Sequence, residues 1–519
     1  MSIINNKGYI ASKKHIDQEV LHSIRNELTV QPYVNPNYAE AVAPYPVYFE
    51  TEKNIYLPRF YGITKLGQPT KGSVFTPVKC DTLDTPMSLR DYQMPIIEKT
   101  LDILQNGCGG GILELYTGSG KTSIALYIMC QLKVKTLIIV HKSFLLQQWI
   151  ERIKQFVPHA SIGIIQGNVF DISGKDIVIG MLQTLSMKIY DQFCNISYTQ
   201  FAEFGLTIVD ETHHIGAEVF CRSLMKISTQ YMIGLSATPI RKDGLTKVIH
   251  WFIGPTAYSL QRDGSQSQKV LVKKINFKSS DISYLREQKN FKGTVMLPTM
   301  INQVCAYAPR NALIIHEILY YASESERQIM VISDRINHLH ELKEIIDAHP
   351  LKLHTGLYTG RQKQRELNVS EKAKIIFSSY AMCREGLDIQ SLNTIILTTS
   401  NGDVIQTCGR ILRKTHNVYP LIIDIADHFS SFKGQSKKRD AFYKKSTYCV
   451  AQFNYIVGTS AFSELEVVST DLLQRVGPSK KACLNAADTD EETNDANHDT
   501  PENISKRLSK VAFISDDDE

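Results

Sequence analysis

The chain has 519 residues, 43% of them hydrophobic and 21% charged, which is too long for one core and ordinary for a globular protein. The net charge of +5 is unevenly spread. From Lys481 onward eleven acidic residues stand against four basic ones, so the tail carries −7 and the body before it +12, a balance that suits a polyanionic partner. Ten scattered cysteines without a CxxC pair exclude a disulfide framework or a zinc ribbon, and no run nears the ~18–20 apolar residues of a membrane span. A soluble, cytoplasmic protein without a signal peptide is therefore expected.

Residues 1–85 read as an N-terminal accessory domain, with a helix around Ile16–Leu28 and short strands in YFETEKNIYLPRFYGI (48–63). From Leu89 short β-branched runs alternate with amphipathic stretches: GILEL (111–115), TLIIV (136–140), DIVIG (176–180), LTIVD (206–210) and YMIGLS (231–236). Runs this short and continuously apolar read as buried parallel strands, and SFLLQQWIERIKQF (143–156) reads as a helix between two of them. The pattern restarts with RQIMVIS (327–333), KIIFSS (374–379), NTIILTT (393–399) and YPLIIDI (419–425). The fold class is thus α/β with two lobes, 86–255 and 305–430. A linker with some strand structure, 256–304, joins them. An extension at 431–475 and an acidic tail at 476–519, which reads as disordered, follow.

In the first lobe a strand runs into Thr117-Gly118-Ser119-Gly120-Lys121-Thr122, and a helix follows. Glycines let backbone N–H groups turn onto phosphate oxygens, and the helix N-terminus adds its dipole. Lys121 would neutralise the phosphates and the Thr122 hydroxyl would ligate Mg²⁺; the usual first glycine of this pattern is Leu115. The adjacent acids Asp210 and Glu211 close another strand. Asp210 is placed to hold the metal through water, and Glu211 to orient and deprotonate an attacking water.

Taken in order, these residues resemble the superfamily 2 DExH-box helicases over about 325 residues. LRDYQ (89–93) looks like the adenine-reading element, with Gln93 as the base contact and Arg90 in support. GSGKT looks like motif I, DETH (210–213) motif II, SAT (236–238) motif III, AMCREGLDI (381–389) motif V and QTCGRILR (406–413) motif VI. The resemblance implies two tandem RecA-like parallel-sheet domains using ATP and Mg²⁺. It makes Gln406, Arg410 and Arg413 catalytic, the arginines as fingers three apart on one helix. Gly386 and Asp388 would sense nucleotide and strand, and His213, Ser236 and Thr238 would couple hydrolysis to movement. The segment IGLSATPIRKDGLTKVIHWFIGP (233–255) resembles the repair/transcription-factor group, which includes the poxvirus-type transcript-release helicases of large cytoplasmic DNA viruses. Arg241-Lys242-Asp243 stands there where Arg-Glu-Asp is often found.

VHKSFLLQQW (140–149) and GMLQTL (180–185) resemble the family's grips on the nucleic-acid backbone. Lys142, Gln183, Thr184 and Arg361, in the TGR turn, are the candidate contacts. The partner expected is nucleic acid, DNA favoured over RNA, in viral transcription or replication, in a host cytoplasm and with packaging in the virion as one option. SFKGQSKKRDAFYKK (431–445) fits either a strand contact or a solvated charged helix. An ATP-gated clamp that remodels a transcription complex without unwinding fits the same residues.

Overall fold

The computed structural model describes residues 1–33, 42–116, 118–187, 201–212, 217–237, 241, 243–260, 269–291, 293–360, 362–385, 389–459 and 466–469. The chain divides into two compact units, Met1–Arg262 and Asp263–Glu519.

The first unit is built on an eight-stranded sheet. Its order is Val169–Phe170, Ile162–Gln166, Ile177–Met181, Thr136–Val140, Leu206–Val209, Tyr231–Ser236, Gly110–Leu115, Thr256–Leu260. All neighbours run parallel except the edge pair at Val169–Phe170. The continuous apolar runs are explained by burial on both faces. Ile112, Leu137 and Val209 pack on one side, and Leu113, Ile138 and Ile208 on the other. Parallel pairing brings the C-terminal ends of Leu206–Val209, Tyr231–Ser236 and Gly110–Leu115 side by side. The acidic pair, Ser236 and the glycine-rich turn therefore share one edge of the sheet, the edge where open α/β sheets bind ligands.

Residues 1–85 supply a four-stranded antiparallel sheet, ordered Ser2–Asn5, Gly8–Ser12, Asn54–Leu57, Phe49–Glu50. The expected helix is present as Gln18–Glu27, capped by Asp17, whose side chain accepts from Glu19 N at 2.8 Å. PRFYGI, grouped with the strands in the sequence reading, is instead the start of a helix, Arg59–Leu66, entered through Pro58. Among the described residues this accessory region has no separate core: Ile4, Tyr9, Ile55 and Leu57 join the cluster that contains Ile112 and Leu137. Arg59 pins it down. Its buried guanidinium donates to the carbonyls of Thr229, Gln230 and Cys108, each at 2.9 Å, and burial lowers its pKa to about 10.

The second unit also carries an eight-stranded sheet. Its order is Thr355–Tyr358, Ile375–Ser379, Ile329–Ser333, Thr394–Leu397, Leu421–Asp427, Leu271–Lys278, Cys449–Ile456, Glu466–Ser469. Only the last pair is antiparallel. The boundaries read from sequence change accordingly. Of the stretch 256–304, Thr256–Leu260 completes the first sheet, while Leu271–Lys278 lies between two parallel strands of the second. Strand Cys449–Ile456 belongs to that sheet as well, so 431–475 is more than an appendage. Lys273 and Lys274 hid the strand at 271–278, because lysines rarely enter a core. They are buried here through ion pairs, Lys273 with Glu317 at 2.8 Å and Lys274 with Asp440 at 2.6 Å. The acidic tail lies outside the described residues.

Candidate functional site

The glycine-rich turn leaves strand Gly110–Leu115 and enters helix Lys121–Leu132. Gly118 and Gly120 hold φ of 93° and 82°, conformations that side chains disfavour, and Gly120 caps the helix. A Cβ on Gly120 would lie 2.4 Å from Gln93 Nε2. Gln93 is buried and supports this turn: its Nε2 donates to Ser119 O at 3.0 Å, and its Oε1 accepts from Arg90 N at 3.0 Å. Tyr92 OH donates to the same Ser119 carbonyl at 3.0 Å. The proposed adenine reader therefore acts first as a brace, keeping one N–H and one carbonyl lone pair for a base.

Lys121 Nζ lies 3.4 Å from Leu115 O and 3.9 Å from Glu211 Oε1, so the lysine and the candidate base face one space. Ser119 Oγ is buried and has no hydrogen-bond partner among the described residues. Thr122 is the second residue of the helix and half-buried. Thr117 is outside the described residues.

Asp210 follows strand Leu206–Val209 and is buried, with its Oδ2 accepting from Trp149 Nε1 at 2.9 Å and its Oδ1 from Glu211 N at 2.9 Å. Burial, then the charge of Glu211, raise its pKa to about 6; the Trp149 bond and Lys121 oppose the rise. Glu211 itself adopts φ 46°, a left-handed conformation that a glutamate holds only when its surroundings enforce it. Two adjacent carboxylates stand at this strand end, with Lys121 facing Glu211. That is the donor chemistry a hydrated Mg²⁺ needs, and Asp210 and Thr122 fit as its holders. Ser236 ends strand Tyr231–Ser236 and is fully buried. His213 and Thr238 fall outside the described residues.

The nucleic-acid candidates separate in the structure. Lys142 caps helix Ser143–Phe156, and partial burial lowers its pKa. Gln183 Nε2 donates to His141 O at 2.8 Å, tying the second backbone-gripping element to the first. Thr184 is a correction: it is buried, and its Oγ1 accepts from Gly167 N at 3.0 Å, so it packs inside the fold rather than presenting a contact surface. Arg361 lies outside the described residues.

In the second unit the arginine motif does not form one helix. Ile405–Cys408 is a single α-turn, Gly409–Leu412 continues it as a 3₁₀ turn, and Arg413 ends it. Three residues per turn still keep positions 410 and 413 on one edge, and both guanidinium charges act on the Tyr358 hydroxyl and the Cys383 thiol. Arg410 is buried and donates from Nε to Cys383 O at 2.8 Å and from Nη2 to Arg384 O. Gln406 is buried on the α-turn. Gly386 and Asp388 fall outside the described residues.

Sequence reasoning missed Trp149 as an Asp210 partner and Tyr92 as a brace. The signal for Trp149 was available: it is one of two tryptophans in the chain, six residues into a helix that starts beside a strand end.

Two family models match the chain: the res subunit of type III restriction enzymes over residues 86–241, and the helicase conserved C-terminal domain over residues 310–415. A protein of Acanthamoeba polyphaga mimivirus named an ATP-dependent RNA helicase, L396, is 34% identical over 458 residues, 86% of each chain. A protein of African swine fever virus (isolate Pig/Kenya/KEN-50/1950) named an ATP-dependent RNA helicase, QP509L, is 27% identical over 448 residues, 78% of this chain and 81% of its own. The DNA 3′-5′ translocase XPB2 of Sulfurisphaera tokodaii is 31% identical over 218 residues, 40% of this chain and 45% of its own.

Proposed function

The chain belongs to the superfamily 2 helicases of large DNA viruses, and from that premise we propose that it hydrolyses ATP to move along a nucleic-acid backbone, with DNA the favoured track. It is an ATP hydrolase of the helicase/translocase class. The observation that carries the detailed reading is the meeting of Lys121 with Glu211, which stands next to Asp210, at one edge of the first sheet.

In this reading the turn Thr117–Gly120 and the start of helix Lys121–Leu132 cradle the phosphates, and Lys121 neutralises them. Bound Mg²⁺ would offset charge on the phosphate oxygens, held by Asp210 and Thr122. Glu211 receives a proton from the attacking water, its carboxylate aimed by the fixed left-handed backbone. By the family resemblance, Arg410 and Arg413 would supply further positive charge to the departing phosphate. For Arg410 this means exchanging the carbonyls of Cys383 and Arg384 for phosphate oxygen, an effect in this reaction class typically worth roughly 10³–10⁵ in rate.

DNA as the track rests on the shared 218 residues with a protein named a DNA translocase; the viral relatives are named RNA helicases, which makes RNA the alternative. Action within viral transcription or replication, in a host cytoplasm, belongs to the same proposal. Among the described residues no helix is long and apolar enough to cross a membrane. The test measures ATP turnover with single-stranded DNA, duplex DNA and RNA in the wild type, Lys121→Ala and Glu211→Gln. Stimulated turnover lost in both variants supports the reading, and full stimulation in both overturns it. The strongest stimulant among the three identifies the track.

A further inference from the structure

Helix Ser430–Lys445 has two unlike faces. One is anchored: Phe432, Arg439 and Tyr443 are buried, and both Arg439 Nε (2.9 Å) and Tyr443 OH (3.1 Å) donate to Asp424 Oδ2. At 100° per residue the opposite face carries Lys433, Lys437 and Lys444 along one edge and Lys438 and Lys445 along the other. Gly434 and Ala441 lie between them, and all seven residues are exposed. The only acid within the helix, Asp440, is consumed by Lys274 at 2.6 Å.

The central strip has a feature that a merely soluble helix does not need. Gly434 sits inside the helix, where glycine costs roughly 1 kcal/mol relative to alanine, yet a Cβ there would meet nothing within 4 Å. Among the described residues no neighbour requires that glycine. It keeps a shallow floor between two rows of cations. The lysines span about 18 Å of helix, which matches about five phosphates of a strand at 3.4 Å each.

The face is also wired to the arginine motif. Arg439 Nη1 donates to Asn401 O at 3.0 Å, Arg384 Nη2 donates to Asn401 Oδ1 at 2.8 Å, and Arg384 O accepts from Arg410. One asparagine thus joins the root of the lysine helix to the residue that holds Arg410.

We infer that the outward face of helix Ser430–Lys445 is a track for the sugar–phosphate backbone of nucleic acid, outside the motifs by which the family is recognised. The inference rests on the proposed function and adds where a strand lies. A backbone seated there presses on the Arg439–Asn401–Arg384 chain and so biases whether Arg410 stays on its carbonyls.

The test uses the full chain and labelled oligothymidylate, duplex DNA and oligouridylate across a salt series. Lys433 is left alone because it also neutralises Glu287. Replacing Lys437, Lys438, Lys444 and Lys445 together by Gln is expected to lower affinity about a hundredfold near 0.1 M salt. The slope of log affinity against log salt should fall by about 3, at roughly 0.7–0.9 per lost phosphate contact. A charge-matched control, Gln at the exposed Lys53, Lys278, Lys352 and Lys372, should bind like wild type. If the helix variant binds as tightly as the control with an equal slope, the inference falls. A loss that disappears once the tail's acids are changed to amides assigns the face to the acidic tail and also overturns it. A wild type that binds none of the three polymers refutes the proposed function instead.

Discussion

Trp149 Nε1 donates to Asp210 Oδ2 at 2.9 Å across 61 positions of sequence, and both groups are buried. The helix that carries Trp149 is the one capped by Lys142, a candidate strand contact. On the proposed function, a shift of that helix on strand engagement would be felt at Asp210. Trp149→Phe keeps the ring and removes the donor. A hydrogen bond to a charged group is worth about 1.5–3 kcal/mol, so stimulated kcat should fall on the order of tenfold or more. Nucleic-acid affinity should not change. A Mg²⁺ titration of turnover checks this, with a raised half-saturation as the expected signature; wild-type kcat and Mg²⁺ dependence would refute it.

Gly120 is held between a left-handed backbone and Gln93. Gly120→Ala should abolish tight ATP binding, since the new Cβ would stand 2.4 Å from Gln93 Nε2 and φ 82° disfavours it. Pairing it with Gln93→Ala removes the clash but not the backbone strain. The double variant should lose less nucleotide affinity than the two single losses summed, giving a coupling of about 0.5–3 kcal/mol in a double-mutant cycle. Purely additive losses would show that the close approach does not matter.

Arg310 and Asp427 form a fully buried pair, Nε to Oδ1 at 2.7 Å, and Tyr284 OH donates to the same oxygen at 2.7 Å. Arg310→Met leaves the aspartate without its cation and should destabilise the second unit by about 3–5 kcal/mol. Removing both charges with Arg310→Met and Asp427→Leu should cost clearly less than the single change. Denaturant unfolding of the variants measures the difference.

His338 is buried with Nδ1 3.0 Å from Ser333 Oγ and Nε2 3.0 Å from Asn311 Oδ1. Asn311 Oδ1 can only accept, so Nε2 carries the proton, and Ser333 Oγ, which already accepts from Arg335 N, donates to Nδ1. Burial, aided by the charge of Arg310, lowers the His338 pKa to about 3. The unfolded chain takes up this proton below about 6.5 while the fold resists it. The stability due to neutral His338 is therefore complete above pH 6.5 and drains away as pH falls towards 3. The second unit should lose several kcal/mol over that window. His338→Gln should flatten the pH profile of its unfolding midpoint; an unchanged slope would show that other groups govern acid sensitivity.

Much of this was legible in the sequence because the information is local. The runs TLIIV and YMIGLS appear in the structure with the ends read for them, and SFLLQQWIERIKQF is a helix over its full length. Period and burial are properties of neighbouring residues. The glycine-rich turn and the acidic pair are likewise short segments written in consecutive letters. Some strand structure at 256–304 was legible, but not the place of 271–278 inside the second sheet, since its two lysines acquire their carboxylates from Glu317 and Asp440, 44 and 166 positions away.

The amino-acid order by itself determined two parallel-sheet units, a glycine-rich turn between a strand and a helix, and an acid pair at a strand end. Tertiary structure alone decided that Gln93 braces that turn, that Trp149 holds Asp210, that Thr184 is enclosed, and that Arg410 rests on two carbonyls. The reason is physical. Backbone periodicity and turn chemistry are set within a few residues, whereas the partner of a buried polar atom is whichever group the packed strands and helices bring within 3 Å, and no local pattern encodes that distance.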